Sequence, residues 1–82
     1  MGRRQLKVFG QTVRFFRNAL SITQEELAAR CEFHRTYIGQ VERGERNPAL
    51  MNITTICEKL EVPLTVFFSR YQQSLDAAET QV

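Results

Sequence analysis

Apolar residues recur at three- and four-residue steps along most of this chain, and no segment alternates as a strand would. Leu6, Phe9, Val13, Phe16 and Leu20 form the first stripe and predict an amphipathic helix over 6–19, flanked by Arg14 and Arg17, with Phe15 on the opposite side. Thr23 and Glu26 stand at capping-box spacing, with Ile22 and Leu27 placed as a hydrophobic staple, so a second helix opens at Thr23 and turns Leu27, Ala28 and Cys31 inward. A turn at Glu32, Phe33 and His34 leads to a third helix over 35–43. His34 falls at its N-cap, where Ser or Asp is the commoner choice, and one imidazole nitrogen is able to accept a backbone N–H. Gly44 stops that helix. A fourth helix over 50–61 aligns Ile53, Ile56, Cys57 and Leu60. Pro63 marks the break, and a fifth begins near Leu64 and runs through Phe67, Phe68, Tyr71 and Leu75. The expected fold is all-α with five helices in one domain over 1–75, and residues 76–82 read as a frayed polar tail.

The third helix sorts its residues. Ile38 and Val41 face one way, with Phe33 beside them, whereas Arg35, Thr36, Gly39, Gln40 and Arg43 face the other. The second face is cationic, polar and free of acids. Its side chains match base edges: Arg fits the two acceptors of guanine, Gln fits adenine, and the Thr methyl meets the thymine methyl. Arg35, Thr36 and Gln40 are therefore the candidate base readers. Gly39 costs about 1 kcal/mol in a helix interior relative to Ala; either it lets the backbone sit deeper in a groove or it is merely tolerated. Arg43, Arg46 and Asn47 follow this face and suit contacts to the flanking phosphates. Tyr37, at its edge, either lays its ring on the sugar-phosphate backbone or packs against the fourth helix.

Charge sharpens this picture. The net charge is only +2, but residues 1–48 hold nine of the 11 Lys and Arg and five of the nine acids, a balance of +4, whereas residues 49–82 stand at −2. One half suits phosphates and the other is left for something else. Arg3 and Arg4 are candidates for a basic arm into the minor groove. The 82 residues suit one small domain, for which dimerisation is a common stabiliser. No run spans a membrane, the basic start MGRRQLKVFG lacks the apolar run of a secretory leader, and a cytoplasmic protein is expected. Cys31 and Cys57 sit at apolar positions and read as small buried hydrophobes. With a single histidine they make no zinc site, and neither metal nor cofactor is expected. Nor is there a Gly-rich phosphate loop, a paired set of carboxylates in an apolar setting or an arguable nucleophile–base set, so the chain does not read as an enzyme.

The segments FGQTVRFFR, ITQEELAARC, FHRTYIGQVERGERNP and ITTICEKLEVPLTVFF together resemble the helix-turn-helix family of the lambda and 434 repressors and Cro proteins, and RTYIGQVERGERNP in particular is similar to the controller proteins of restriction–modification systems. The resemblance implies a five-helix lambda-repressor-like DNA-binding domain whose second and third helices form the helix-turn-helix. It places base contacts at Arg35 and Thr36, a phosphate at the second helix's N-terminus beside Gln24, and a structural ion pair between Arg17 and Glu42. It also implies that Glu25 is a candidate contact for RNA polymerase, with a charge favouring the helix N-terminus as the alternative.

The resulting expectation is a homodimeric transcriptional regulator on a pseudo-palindromic double-stranded operator, with half-sites ~34 Å apart. The fifth helix carries more apolar surface than one small core needs, which makes Val62, Pro63, Val66 and Phe67 the candidate dimer surface. A controller would activate at low concentration and repress at high. The alternative is an antitoxin-like or phage-type repressor whose C-terminal half binds a heterologous protein.

Overall fold

The computed structural model describes residues 2–80, without the side chain of residue 80. Five helices follow one another: α1 (Arg3–Ala19), α2 (Gln24–Cys31), α3 (Arg35–Glu42), α4 (Leu50–Lys59) and α5 (Leu64–Thr80). No strand occurs among the described residues. α1 packs against α3 and α5, and α2 against α3 and α4, so α3 is held from behind by two helices.

Local chemistry sets the boundaries. Thr23 and Glu26 form the reciprocal capping box, Glu26 N donating to Thr23 Oγ1 at 3.0 Å and Thr23 N to Glu26 Oε1 at 3.1 Å. His34 caps α3 through its ring, Nδ1 accepting from Thr36 N at 3.2 Å. α2 and α4 are each stopped by a glutamate in the left-handed region, Glu32 and Glu61, both at φ 59°. That conformation ends α4 at Lys59, two residues short of the expected end.

Two ends differ more. α1 starts at Arg3, with Leu6 N bonded to the carbonyl of Gly2, so Arg3 and Arg4 are the first turn of a helix rather than an arm. Helix formers without an apolar stripe extend it beyond the reach of the periodicity. α5 likewise continues past Leu75 to Thr80, supported by Gln72 donating to Asp76 at 2.8 Å and by an exposed Arg4–Glu79 pair. Residues 81 and 82, the end of the expected tail, lie outside the described residues.

The core gathers Phe9, Val13, Ile22, Leu27, Ile38, Val41, Ile53, Ile56, Leu60 and Phe67 with the two cysteines. Phe67 is its aromatic centre, with ring centroids 5.3 Å from Phe9 and 5.7 Å from Phe16. Fully burying such a ring contributes about 1.5–3 kcal/mol relative to leaving it exposed. Phe67 is 0% exposed, so its side chain is spent inside the monomer and it is not a dimer-surface residue. Phe15, 43% exposed, is covered on one face by the Arg70 guanidinium 3.7 Å from its ring centroid. Where α1 crosses α3, Gly10 is required: a Cβ there would overlap the carbonyls of Val41 and Glu42.

Candidate nucleic-acid interface

α3 presents Arg35, Thr36 and Arg43 outward, with Gln40 half-buried beside them, while Ile38 and Val41 anchor the opposite face at 0% and 1% exposure. The first turn of α2 runs alongside. Between the two helices lies an open cleft of about 570 Å³, lined by Thr23, Gln24, Glu25, Arg35, Thr36, Gly39 and Arg43 over Arg17. The Gly39 backbone forms part of that cleft. A Cβ there would come within 3.1 Å of Arg43 Nη1 and 3.4 Å of Gln24 Oε1, both ends of flexible side chains. A methyl fits once those ends give way slightly, and it would project into the cleft.

Beneath the cleft a carboxylate fixes the angle between α1, α2 and α3. Glu42, whose side chain is 0% exposed, accepts from Arg17 Nε at 2.6 Å, Arg17 Nη2 at 3.0 Å, Gln24 Nε2 at 2.9 Å and Arg14 Nε at 3.2 Å. Arg17 Nη1 also donates to the Ile22 carbonyl at 2.8 Å, tying in the turn before α2. Burial alone would raise the Glu42 carboxyl. The hydrogen bonds from Arg17, Gln24 and Arg14, with the Arg17 charge, outweigh it and hold the carboxyl below the usual range. The hydrogen bond to Glu42 in turn raises Arg17. The Arg17–Glu42 pair is thus the centre of a larger network. Arg14 and Gln24 escape a reading of the sequence as members, because they lie 28 and 18 residues from Glu42 and only the fold brings them together.

This bonding changes what Gln24 has to offer: one of its two amide N–H groups is committed to Glu42, and with Glu26 N held by Thr23 Oγ1 the open backbone donors at this end of α2 are the N–H groups of Gln24 and Glu25. Such groups, with the helix dipole, favour an anion. Arg14 remains half-exposed, and no described residue accepts from its terminal nitrogens.

The remaining outward residues are partly engaged with one another. Arg35 Nη1 lies 3.4 Å from Glu25 Oε2, but both side chains are about three-quarters exposed and such pairs contribute little. Arg43 chelates Glu45, at 2.8 and 3.3 Å. Tyr37 packs toward α4, accepting at its hydroxyl from Asn52 Nδ2 at 3.0 Å, with Arg46 over its ring at 5.3 Å. Asn47 is exposed in the loop after α3. Of the other three expected dimer residues, Val62 is half-buried, and Pro63 and Val66 are exposed beside Leu64, itself 40% exposed. No cluster of metal-binding side chains occurs among the described residues, and no described helix is long and apolar enough to cross a membrane.

Comparison with known proteins agrees with this architecture. A helix-turn-helix family model matches residues 13–67, from the middle of α1 into α5. Control protein C.BamHI of Bacillus amyloliquefaciens is 50% identical over 56 residues, covering 67% of this chain and 69% of that protein. Control protein C.SmaI of Serratia marcescens is 36% identical over 64 residues, covering 78% of this chain and 76% of that protein. Among solved structures, the restriction–modification controller protein C.Esp1396I, a tetramer in complex with its natural 35 base-pair operator, superposes with a TM-score of 0.82 at 31% identity, over 87% of this chain and 93% of that one. The controller C.AhdI from Aeromonas hydrophila does so with a TM-score of 0.69 at 41% identity, over 71% and 88%. With the five helices in the same arrangement, this chain belongs to the helix-turn-helix family and, within it, to the controller proteins of restriction–modification systems.

Proposed function

We propose that the chain is a cytoplasmic, sequence-specific DNA-binding transcriptional regulator that acts as a homodimer on a pseudo-palindromic operator upstream of its own gene and a restriction endonuclease gene. The observation that carries this reading is the pairing of the acid-free outer face of α3 with the open first turn of α2 across one cleft. An α-helix fits the major groove, and the neighbouring N–H groups suit the phosphate at its rim. Arg35, Thr36 and Gln40 read bases. The α2 N-terminus beside Gln24, with Tyr37, Arg43, Arg46 and Asn47, holds the backbone. Val62, Pro63 and Val66 contribute to the dimer surface. The protein binds rather than catalyses.

In the same reading the regulator activates at low concentration and represses at high, and Glu25 offers its exposed carboxylate to RNA polymerase. The test is a titration of the purified protein on the DNA upstream of its own coding sequence, followed by footprinting and by transcription from that template. Two subunits should protect half-sites one helical turn apart, and transcript should rise and then fall with concentration. Binding of that DNA no tighter than a mixed-sequence duplex would overturn the reading. A monotonic transcript curve would remove the dual role alone.

A further inference from the structure

The cap on α3 is an imidazole. His34, the chain's single histidine, is exposed and accepts from Thr36 N at 3.2 Å through Nδ1. Only that nitrogen can serve: with the ring turned over, a carbon-bound hydrogen would face the N–H. A backbone N–H only donates, so Nδ1 carries no proton and the neutral ring keeps its proton on Nε2. Among the described residues no other side chain caps this end of the helix. Tyr37 N and Ile38 N turn back to the His34 carbonyl, at 3.0 and 3.4 Å, and the first turn contains no acid to offset Arg35. From α2, Glu25 reaches Arg35, and Glu32 lies in the turn just before. α1 brings Arg14 and Arg17 to the opposite end of α3, at Glu42.

We propose that His34 is a positioning residue for base readout: its neutral ring caps α3 and holds Arg35 and Thr36 for the bases, and a proton on the ring releases them, so that the protein discriminates among sequences less well in acid. The inference rests on the reading of α3 as the DNA-facing helix. An imidazolium has two donors and no acceptor, so Thr36 N loses its partner. Its charge also meets the positive end of the helix dipole, beside Arg35. Both costs fall on the two residues placed to read bases. Attraction to phosphates is not lost, because an added cation favours any duplex. Acid therefore separates discrimination from affinity. Between about pH 8 and about pH 5.5 an imidazole is the one ordinary side chain that changes charge. Glu42, held below the usual carboxyl range, keeps its charge across that interval, so the clamp beneath the cleft stays intact.

The experiment compares the full-length wild type with His34→Asn and His34→Ala at constant salt. Each is titrated on the tightest duplex that the wild type recovers from a randomised library and on a mixed-sequence duplex. Asn caps a helix without titrating. From about pH 8 to about pH 5.5 the wild type's preference for its own duplex should fall about three- to tenfold, with mixed-sequence binding undiminished. His34→Asn should keep that preference at both pH values. His34→Ala should show the reduced preference at both; should it fold poorly, His34→Asn against the wild type carries the test alone. Thermal midpoints of every variant at each pH separate lost fold from lost discrimination. A wild-type preference that does not change with pH, a His34→Asn preference that falls equally, or a folded His34→Ala with full preference would overturn the inference while leaving DNA binding intact. Failure of the wild type to prefer any duplex at the higher pH would overturn the underlying reading as well.

Discussion

Replacing Glu42 with Gln should be among the most damaging single changes in the molecule. The carboxylate is sealed from solvent and receives four hydrogen bonds, two of them from Arg17, whose own side chain is only 12% exposed. An amide offers one acceptor and turns two N–H groups toward two guanidinium groups. Arg17 is then left enclosed with an unmatched charge. Removing one partner of a buried pair costs about 3–5 kcal/mol. A domain of this size has about 5–15 kcal/mol in total, and each kilocalorie moves its midpoint by about 4–8 °C. The thermal midpoint, followed by circular dichroism at neutral pH, should therefore drop by at least about 12 °C. Acid should reproduce the effect in the wild type. The folded carboxyl is held below its ordinary value of 4.5, so the stability it contributes is complete above that pH and is lost as pH falls toward the folded value. In Glu42→Gln that acid-dependent component should be absent. A midpoint shift of less than about 4 °C, or an unchanged acid profile in the variant, would refute the assignment of Glu42 as the clamp.

Three further outcomes follow from particular contacts. Gly10→Ala should destabilise the fold by about 1–3 kcal/mol or more, because its methyl must push apart the backbones of α1 and α3; a melt equal to the parent's would show that the crossing is looser than described. Val66→Asp places a charge on the exposed apolar start of α5 and should give folded monomers by sedimentation, whereas an unimpaired dimer would move the interface elsewhere. Cys31 and Cys57, whose thiols burial pushes up to about 11, should resist alkylation in the folded state at pH 8 and react only on unfolding; rapid labelling of the native protein would contradict their enclosure.

Chemistry that acts over one helical turn is legible in the sequence. The stripe from Phe9 to Phe16, the Thr23–Glu26 box, and the split of α3 into Ile38 and Val41 against Arg35 and Thr36 are local, and each is present in the fold. Periodicity gives a face but not the neighbour that covers it. Phe67 therefore reads as a dimer-surface residue although Phe9 and Phe16 enclose it. The polar ends of α1 and α5 carry no stripe to extend, so the pattern makes both helices too short. The convergence of Arg14 and Gln24 on Glu42, and of Asn52 on Tyr37, depends on how helices cross, which no single-helix pattern encodes.

The claim that α3 reads bases is tested most directly by binding-site selection with the wild type and with Arg35→Ala, side by side, from one randomised duplex library. Arg35 is exposed and lies in the first turn of α3, with only a weak exposed pairing to Glu25 to give up on binding. The account predicts a symmetric site for the wild type. Arg35→Ala should show relaxed preference at one symmetry-related pair of positions, losing about 1–3 kcal/mol on the wild-type site and keeping its preference elsewhere. An Arg35→Ala profile identical to the wild type's at every position, with undiminished affinity, would contradict the assignment of this face as the reading surface.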